Sequence, residues 1–134
     1  MKLLGLDHVV LRVRDLERMT RFYVDVLGCP VERRLESVGM VQLRAGGSLI
    51  DLVDASGTIG RARGAPPGES GPNMDHFCVR VDPFDEPALR AHLAEHGVQA
   101  GEIAMRYGAD GNGPSLYIDD PEGNTIELKG PPGD

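Results

Sequence analysis

Residues 6–13 are an apolar-rich, β-branched run, in which Val9, Leu11 and Val13 stand opposite His8, Val10 and Arg12. That spacing predicts a first strand, because successive side chains of a strand point to opposite faces. The period then changes. Leu16, Met19, Tyr23, Val26 and Leu27 recur at helical spacing, with Phe22 beside them, so 16–27 is expected to be a helix. Asp15 supplies an N-cap and Gly28 a stop. Residues 30–36, 39–45 and 48–54 return to strand character, broken at Ser37-Val38-Gly39 and Ala45-Gly46-Gly47. The order is βαβββ.

Residues 55–73 carry five glycines and three prolines, which marks a linker. The order then repeats. A fifth strand is expected at 75–82, a helix from about 84 to 96 with Gly97 as its stop, and strands at 98–104, 114–119 and 124–129. The fold class is therefore α+β, with two tandem βαβββ modules: module 1 (5–54), the linker (55–73) and module 2 (74–130). The glycine-rich segment 107–113 absorbs the extra residues of the second module and is expected to be a lid or substrate loop. The Gly/Pro tail 130–134 is expected to be disordered.

The repeat is also chemical. Asp7-His8-Val9-Val10-Leu11-Arg12-Val13 returns as Asp75-His76-Phe77-Cys78-Val79-Arg80-Val81, giving D-H-x-x-x-R-V twice, 68 residues apart. Ile50-Asp51-Leu52 is echoed by Ile126-Glu127-Leu128. Alternation places His8, His76, Asp51 and Glu127 away from the best apolar face of their strands. Two histidines and two carboxylates at matching places suit a borderline or hard divalent ion, Zn, Ni, Co, Fe(II) or Mn. Two His and one carboxylate form a facial triad with positions left for substrate, and Asp51 is the candidate fourth ligand.

Composition narrows the field. Twenty-one acidic against fourteen basic residues, net −7, argues against a nucleic-acid partner, as does the absence of Trp. No apolar run approaches the roughly 20 residues of a membrane helix. The first residues lead into strand 1 without a signal-peptide layout, and the two cysteines form no disulfide framework, so a cytoplasmic protein with reduced thiols is expected.

Three stretches resemble the vicinal oxygen chelate superfamily of glyoxalase I, bleomycin- and fosfomycin-resistance proteins and extradiol dioxygenases. They are Leu6 to Glu17, Phe22-Tyr23-Val24-Asp25-Val26-Leu27-Gly28 and Asp120-Pro121-Glu122-Gly123-Asn124-Thr125-Ile126-Glu127-Leu128. The resemblance implies paired βαβββ modules forming a cup-shaped mixed sheet around one divalent metal, in a homodimer acting on a small-molecule substrate. It places the metal ligands on His8, His76 and Glu127, with the fourth position on Asp51. It implies a glyoxalase-like lyase or isomerase in which Glu127 and Asp51 move protons and the metal acts as Lewis acid. Arg12 falls on the substrate-carboxylate position of glyoxalases. Tyr117 is a candidate pocket residue beside the final hairpin.

Members differ at single positions. Glyoxalases carry glutamate where this chain has Asp51, and fosfomycin transferases carry threonine where it has Val10. Extradiol dioxygenases would use the triad His8, His76 and Glu127 on Fe(II) or Mn(II). A binding protein with a vestigial metal site is the third alternative. Outside these motifs, His92 and His96 are expected at a helix edge, Cys78 as a small buried residue, and Arg61 and Arg63 as exposed loop charges.

Overall fold

The computed structural model describes residues 2, 6–61 and 74–133. The chain divides into two compact units, Met1–Gly71 and Pro72–Asp134, each built around one four-stranded mixed sheet.

In the first unit, β1 (His8–Val13) is followed by α1 (Leu16–Asp25), β2 (Val31–Leu35), β3 (Met40–Ala45) and β4 (Ser48–Asp54). The sheet order is β1-β4-β3-β2, with β1 parallel to β4 and the other pairs antiparallel. Asp15 caps α1, its side chain accepting from the Arg18 amide at 3.0 Å. Gly28, at φ 71°, ends the helix in the left-handed conformation that glycine adopts without a Cβ clash. Ile50 and Leu52 of β4 and Val41 and Leu43 of β3 are almost fully buried, as are Met19 and Tyr23 of α1. Each such side chain contributes about 1.5–3 kcal/mol on leaving water.

The second unit repeats the plan. β5 (Phe77–Arg80), α3 (Glu86–Glu95), β6 (Ala104–Gly108), β7 (Gly111–Asp119) and β8 (Thr125–Lys129) give the sheet order β5-β8-β7-β6. Its apolar face is Leu116, Ile118, Ile126 and Leu128, all buried. The matching orders put the equivalents of the D-H strand and the carboxylate strand side by side in both sheets. Val10 is in register with Asp51, and Cys78 with Glu127.

Four expectations change. The strand expected at 98–104 lies instead at Ala104–Gly108. The glycine-rich segment 107–113 is not a lid loop; it closes a β-hairpin whose register runs through Gly108–Gly111. The segment after β4 holds a short helix, α2 (Thr58–Arg61), while 62–73, with Arg63, lie outside the described residues. The tail is tied down rather than loose, because the Gly130 amide donates to the Pro114 carbonyl at 2.8 Å and that of Gly133 to Asn112 at 3.0 Å.

Among the described residues no helix is long and apolar enough to cross a membrane.

Candidate metal and substrate site

Each D-H pair is a built unit. Asp7 Oδ1 lies 2.7 Å from His8 Nδ1, and Asp75 Oδ2 lies 2.6 Å from His76 Nδ1. A carboxylate on Nδ1 fixes the ring and leaves Nε2 as the nitrogen available to a ligand. The Asp7 contact also raises the His8 pKa above its ordinary value, partly offset by desolvation and helped by the charge of Asp51.

The carboxylates are held from below. In the first unit Asp51 is 2% exposed. Gln42 Nε2 donates to its Oδ2 at 3.0 Å, while its Oδ1 is buried without any hydrogen-bond donor among the described residues. A buried, donorless carboxylate oxygen is costly and calls for a cation. In the second unit His76 Nε2 stands 3.2 Å from Glu127 Oε1. With Nδ1 engaged by Asp75, these two atoms can serve as neighbouring ligands of one ion. Ligand bonds of about 2.1 Å at right angles separate two donor atoms by about 3.0 Å, close to the observed spacing.

The register of Glu127 is set by the turn before it. Asp120 Oδ1 accepts from the amides of Glu122 and Asn124 at 2.9 and 3.0 Å, and its Oδ2 accepts from Asn124 Nδ2 at 2.8 Å. Gly123, at φ 83°, completes the bend. The D-P-E-G-N motif therefore works as a clamp at the start of β8.

A cavity of about 360 Å³ opens beside this pair, within the second unit. It is lined by His76, Cys78, Arg80, Glu127 and Lys129, and by hairpin residues 107–110. Cys78 is thus exposed rather than buried, and desolvation and then the Glu127 charge push its thiol pKa up. Both cysteines are free thiols, as expected.

Two expected substrate residues have other partners. Arg12 Nε donates to the Gly60 carbonyl at 3.2 Å, tying β1 to α2. Tyr117 does not line the cavity. Its ring packs edge-on against His76 at 5.2 Å, and the Arg106 guanidinium lies over it at 4.5 Å. Arg106 is held in turn by Ser115, donating through Nη1 to the carbonyl at 2.7 Å and to Oγ at 2.9 Å. Tyr117 and Arg106 therefore buttress His76. His92 and His96 sit together at the end of α3, rings 4.6 Å apart.

The structure thus brings together His76 with Glu127. Among the described residues no three His, Cys, Asp or Glu side chains converge as a metal cluster. Gln42, Arg106, Lys129 and the orienting role of Asp7 and Asp75 were not anticipated. The duplicated aspartate before each histidine was the available signal for the last.

The glyoxalase/bleomycin resistance protein/dioxygenase superfamily profile matches residues 5–128. The chain belongs to this superfamily. Mouse mitochondrial methylmalonyl-CoA epimerase is 32% identical over 134 residues, covering 96% of this chain and 74% of that protein. Catechol-2,3-dioxygenase of Bacillus subtilis (strain 168) is 28% identical over 127 residues, 92% of this chain. The chain spans only 40% of that dioxygenase's length. Among solved structures, an integron cassette protein from the mobile metagenome of V. cholerae aligns with a TM-score of 0.76 at 30% identity, covering 97% of each chain. The superfamily includes dioxygenases, epimerases and lyases, and its members commonly use a divalent metal.

Proposed function

We propose that this protein is a divalent-metal-dependent lyase or isomerase of the glyoxalase type, acting on a small substrate with two neighbouring oxygens. The carrying observation is the buried Asp51 Oδ1 with no donor among the described residues, at the position matching Glu127. The donor set that would hold the ion is His8, His76, Glu127 and Asp51, which suits Zn, Ni, Co, Fe(II) or Mn. The ion would supply Lewis acidity toward the two substrate oxygens.

The protein's own groups do the rest. Asp7 and Asp75 keep the imidazoles in the tautomer that presents Nε2. Tyr117 and Arg106 hold the His76 ring in place. A carboxylate oxygen of Glu127 or Asp51 takes a proton from the carbon beside a carbonyl and returns it to the neighbouring carbon. The likeness to an epimerase supports this choice, since inverting a carbon centre is also work for a proton-moving carboxylate. On the same reading the protein is a cytoplasmic homodimer without nucleic-acid or membrane partners.

A second reading, a small ring-cleaving dioxygenase, is favoured by the likeness to the Bacillus enzyme. Two assays separate them. Anaerobic isomerisation of a hemithioacetal supports the lyase. Oxygen uptake with catechol by the iron-loaded protein supports the dioxygenase. Ligand binding without turnover in either would leave a binding protein with a vestigial site.

The orphaned oxygen also makes a stability prediction. Asp51→Asn keeps an acceptor for Gln42 and removes the buried charge. After chelation the variant is expected to be more stable than the parent by about 1 kcal/mol in urea denaturation. It is also expected to lose the rise in melting temperature that added metal gives the parent. A chelated variant less stable than the parent would mean that the carboxylate has its partner within the fold.

A further inference from the structure

Lys129 is a buried cation on the same strand face as Glu127, two residues away. It is 4% exposed, and among the described residues it makes no ion pair. Its Nζ donates to two neutral carbonyls, Arg106 O at 2.6 Å and Gly113 O at 3.3 Å. An ammonium carries three donors, so two carbonyls leave one N–H. The side chain lines the cavity that also holds His76 and Glu127.

The architecture does not require this lysine. Two residues after the site carboxylate, the first unit has Val53, opposite Met40, where the second has Lys129, opposite Ser115. Val53 is completely buried and fills the same place with an apolar side chain. Exchanging a buried charge for a packed apolar residue is commonly neutral or stabilising, so stability alone does not explain a lysine here. The second unit instead makes room for it. A Cβ on Gly108 would come within 2.7 Å of Lys129 Cε; one on Gly113 would meet the Pro131 and Gly130 carbonyls at 2.7 and 2.8 Å and Lys129 Nζ at 3.0 Å. The missing side chain at Gly108 lets the stem lie across the face of β7 and β6. Arg80, in register with Lys129, adds a second cation at the cavity wall, ion-paired with Asp110 of the hairpin.

We propose that Lys129 is the anion anchor of this cavity, so that its ligand carries a carboxylate or phosphate group that takes the remaining N–H. As a statement about the substrate, this rests on the function proposed above and narrows it to acidic molecules. Anion capture itself does not need the metal.

The test is a titration of the protein, as purified, with inorganic phosphate and separately with acetate, followed through backbone amide shifts in NMR. Saturable shifts are expected at Lys129, Arg106 and Gly113. Lys129→Gln keeps donors for the two carbonyls and removes the charge. It is expected to weaken anion binding by about tenfold or more, the effect of losing one charge-assisted hydrogen bond. Response to phosphate, to acetate or to both supports the anchor and identifies the anion class. Shifts centred on His76 rather than Lys129, no saturable shift in the parent, or unchanged affinity in Lys129→Gln would overturn it. Lys129→Met, mimicking the apolar Val53, is the second variant should the glutamine fail to fold; unchanged affinity there overturns the proposal too. Metal content measured on the same samples keeps the two ideas apart. A metal-free parent that loses anion binding in Lys129→Gln removes the metal reading and keeps the anchor, and the reverse pattern does the opposite.

Discussion

His76→Ala is expected to leave a folded protein that no longer retains stoichiometric metal. Its affinity for the ion should fall by about three orders of magnitude, equivalent to about 4 kcal/mol. The reason is local. The side chain is held at three points: Asp75 at Nδ1, the Tyr117 ring on its face, and Glu127 opposite Nε2. Alanine removes a preorganised ligand, and no neighbouring nitrogen can replace it, because Arg106 and Lys129 are cations. The fold should survive, since His76 precedes β5 and contributes nothing to the apolar face of Leu116, Ile118, Ile126 and Leu128. Elemental analysis of protein purified without nickel affinity, beside circular dichroism, reads both halves. Undiminished metal in folded His76→Ala would move the ion to other ligands and end the assignment of this histidine.

Leu52→Ala is expected to cost about 3–5 kcal/mol in urea denaturation, a large share of the 5–15 kcal/mol that holds a typical domain. Leu52 is fully buried at the centre of its sheet, with Leu11 of β1 on one side and Val41 of β3 on the other. The cavity left by three lost carbons cannot collapse readily, because paired strands on both flanks hold the backbone. Since Asp51 is the adjacent residue, this loss should also lower metal retention by the surviving folded fraction. A cost below about 1 kcal/mol would mean that the neighbours relax into the space, and that β4 is less constrained than its pairing implies.

Much of this was legible from residue order, and the exceptions have physical causes. The period change between residues 13 and 16 marks β1 and α1 because β1 is a strand of the sheet and α1 lays its apolar face on that sheet. The repeated D-H and the echoed carboxylates are legible because strand alternation alone assigns their face. The third strand of module 2 was misplaced. Val98 and Ile103 look like strand residues, yet the segment before Ala104 is loop, tied by the Gly101 amide to the Tyr117 carbonyl at 2.9 Å. Glycines at 108, 111 and 113 read as flexibility. Gly108 instead clears space for the Lys129 stem, Gly113 lies against the Gly130 and Pro131 carbonyls, and Gly111 takes a φ of 112° in the hairpin. The burial of Lys129 is not legible, because nothing local in a sequence tells whether a long stem is covered by a hairpin distant in the chain. Asp51 was recognised as a candidate ligand, but its orphaned oxygen depends on which side chain lies across β3, and only pairing reveals Gln42 there.

The anchored tail has a practical consequence for anyone handling this protein. Pro132 borders the cavity, and Gly133 is pinned to Asn112. Residues fused directly after Gly133 would therefore leave the chain beside the cavity mouth. A polyhistidine tag fused there would bring competing imidazoles to the position where metal content is to be measured, and could occupy the space meant for a ligand. Fusion at the opposite terminus, or tag removal before any assay, keeps the cavity's own chemistry in view.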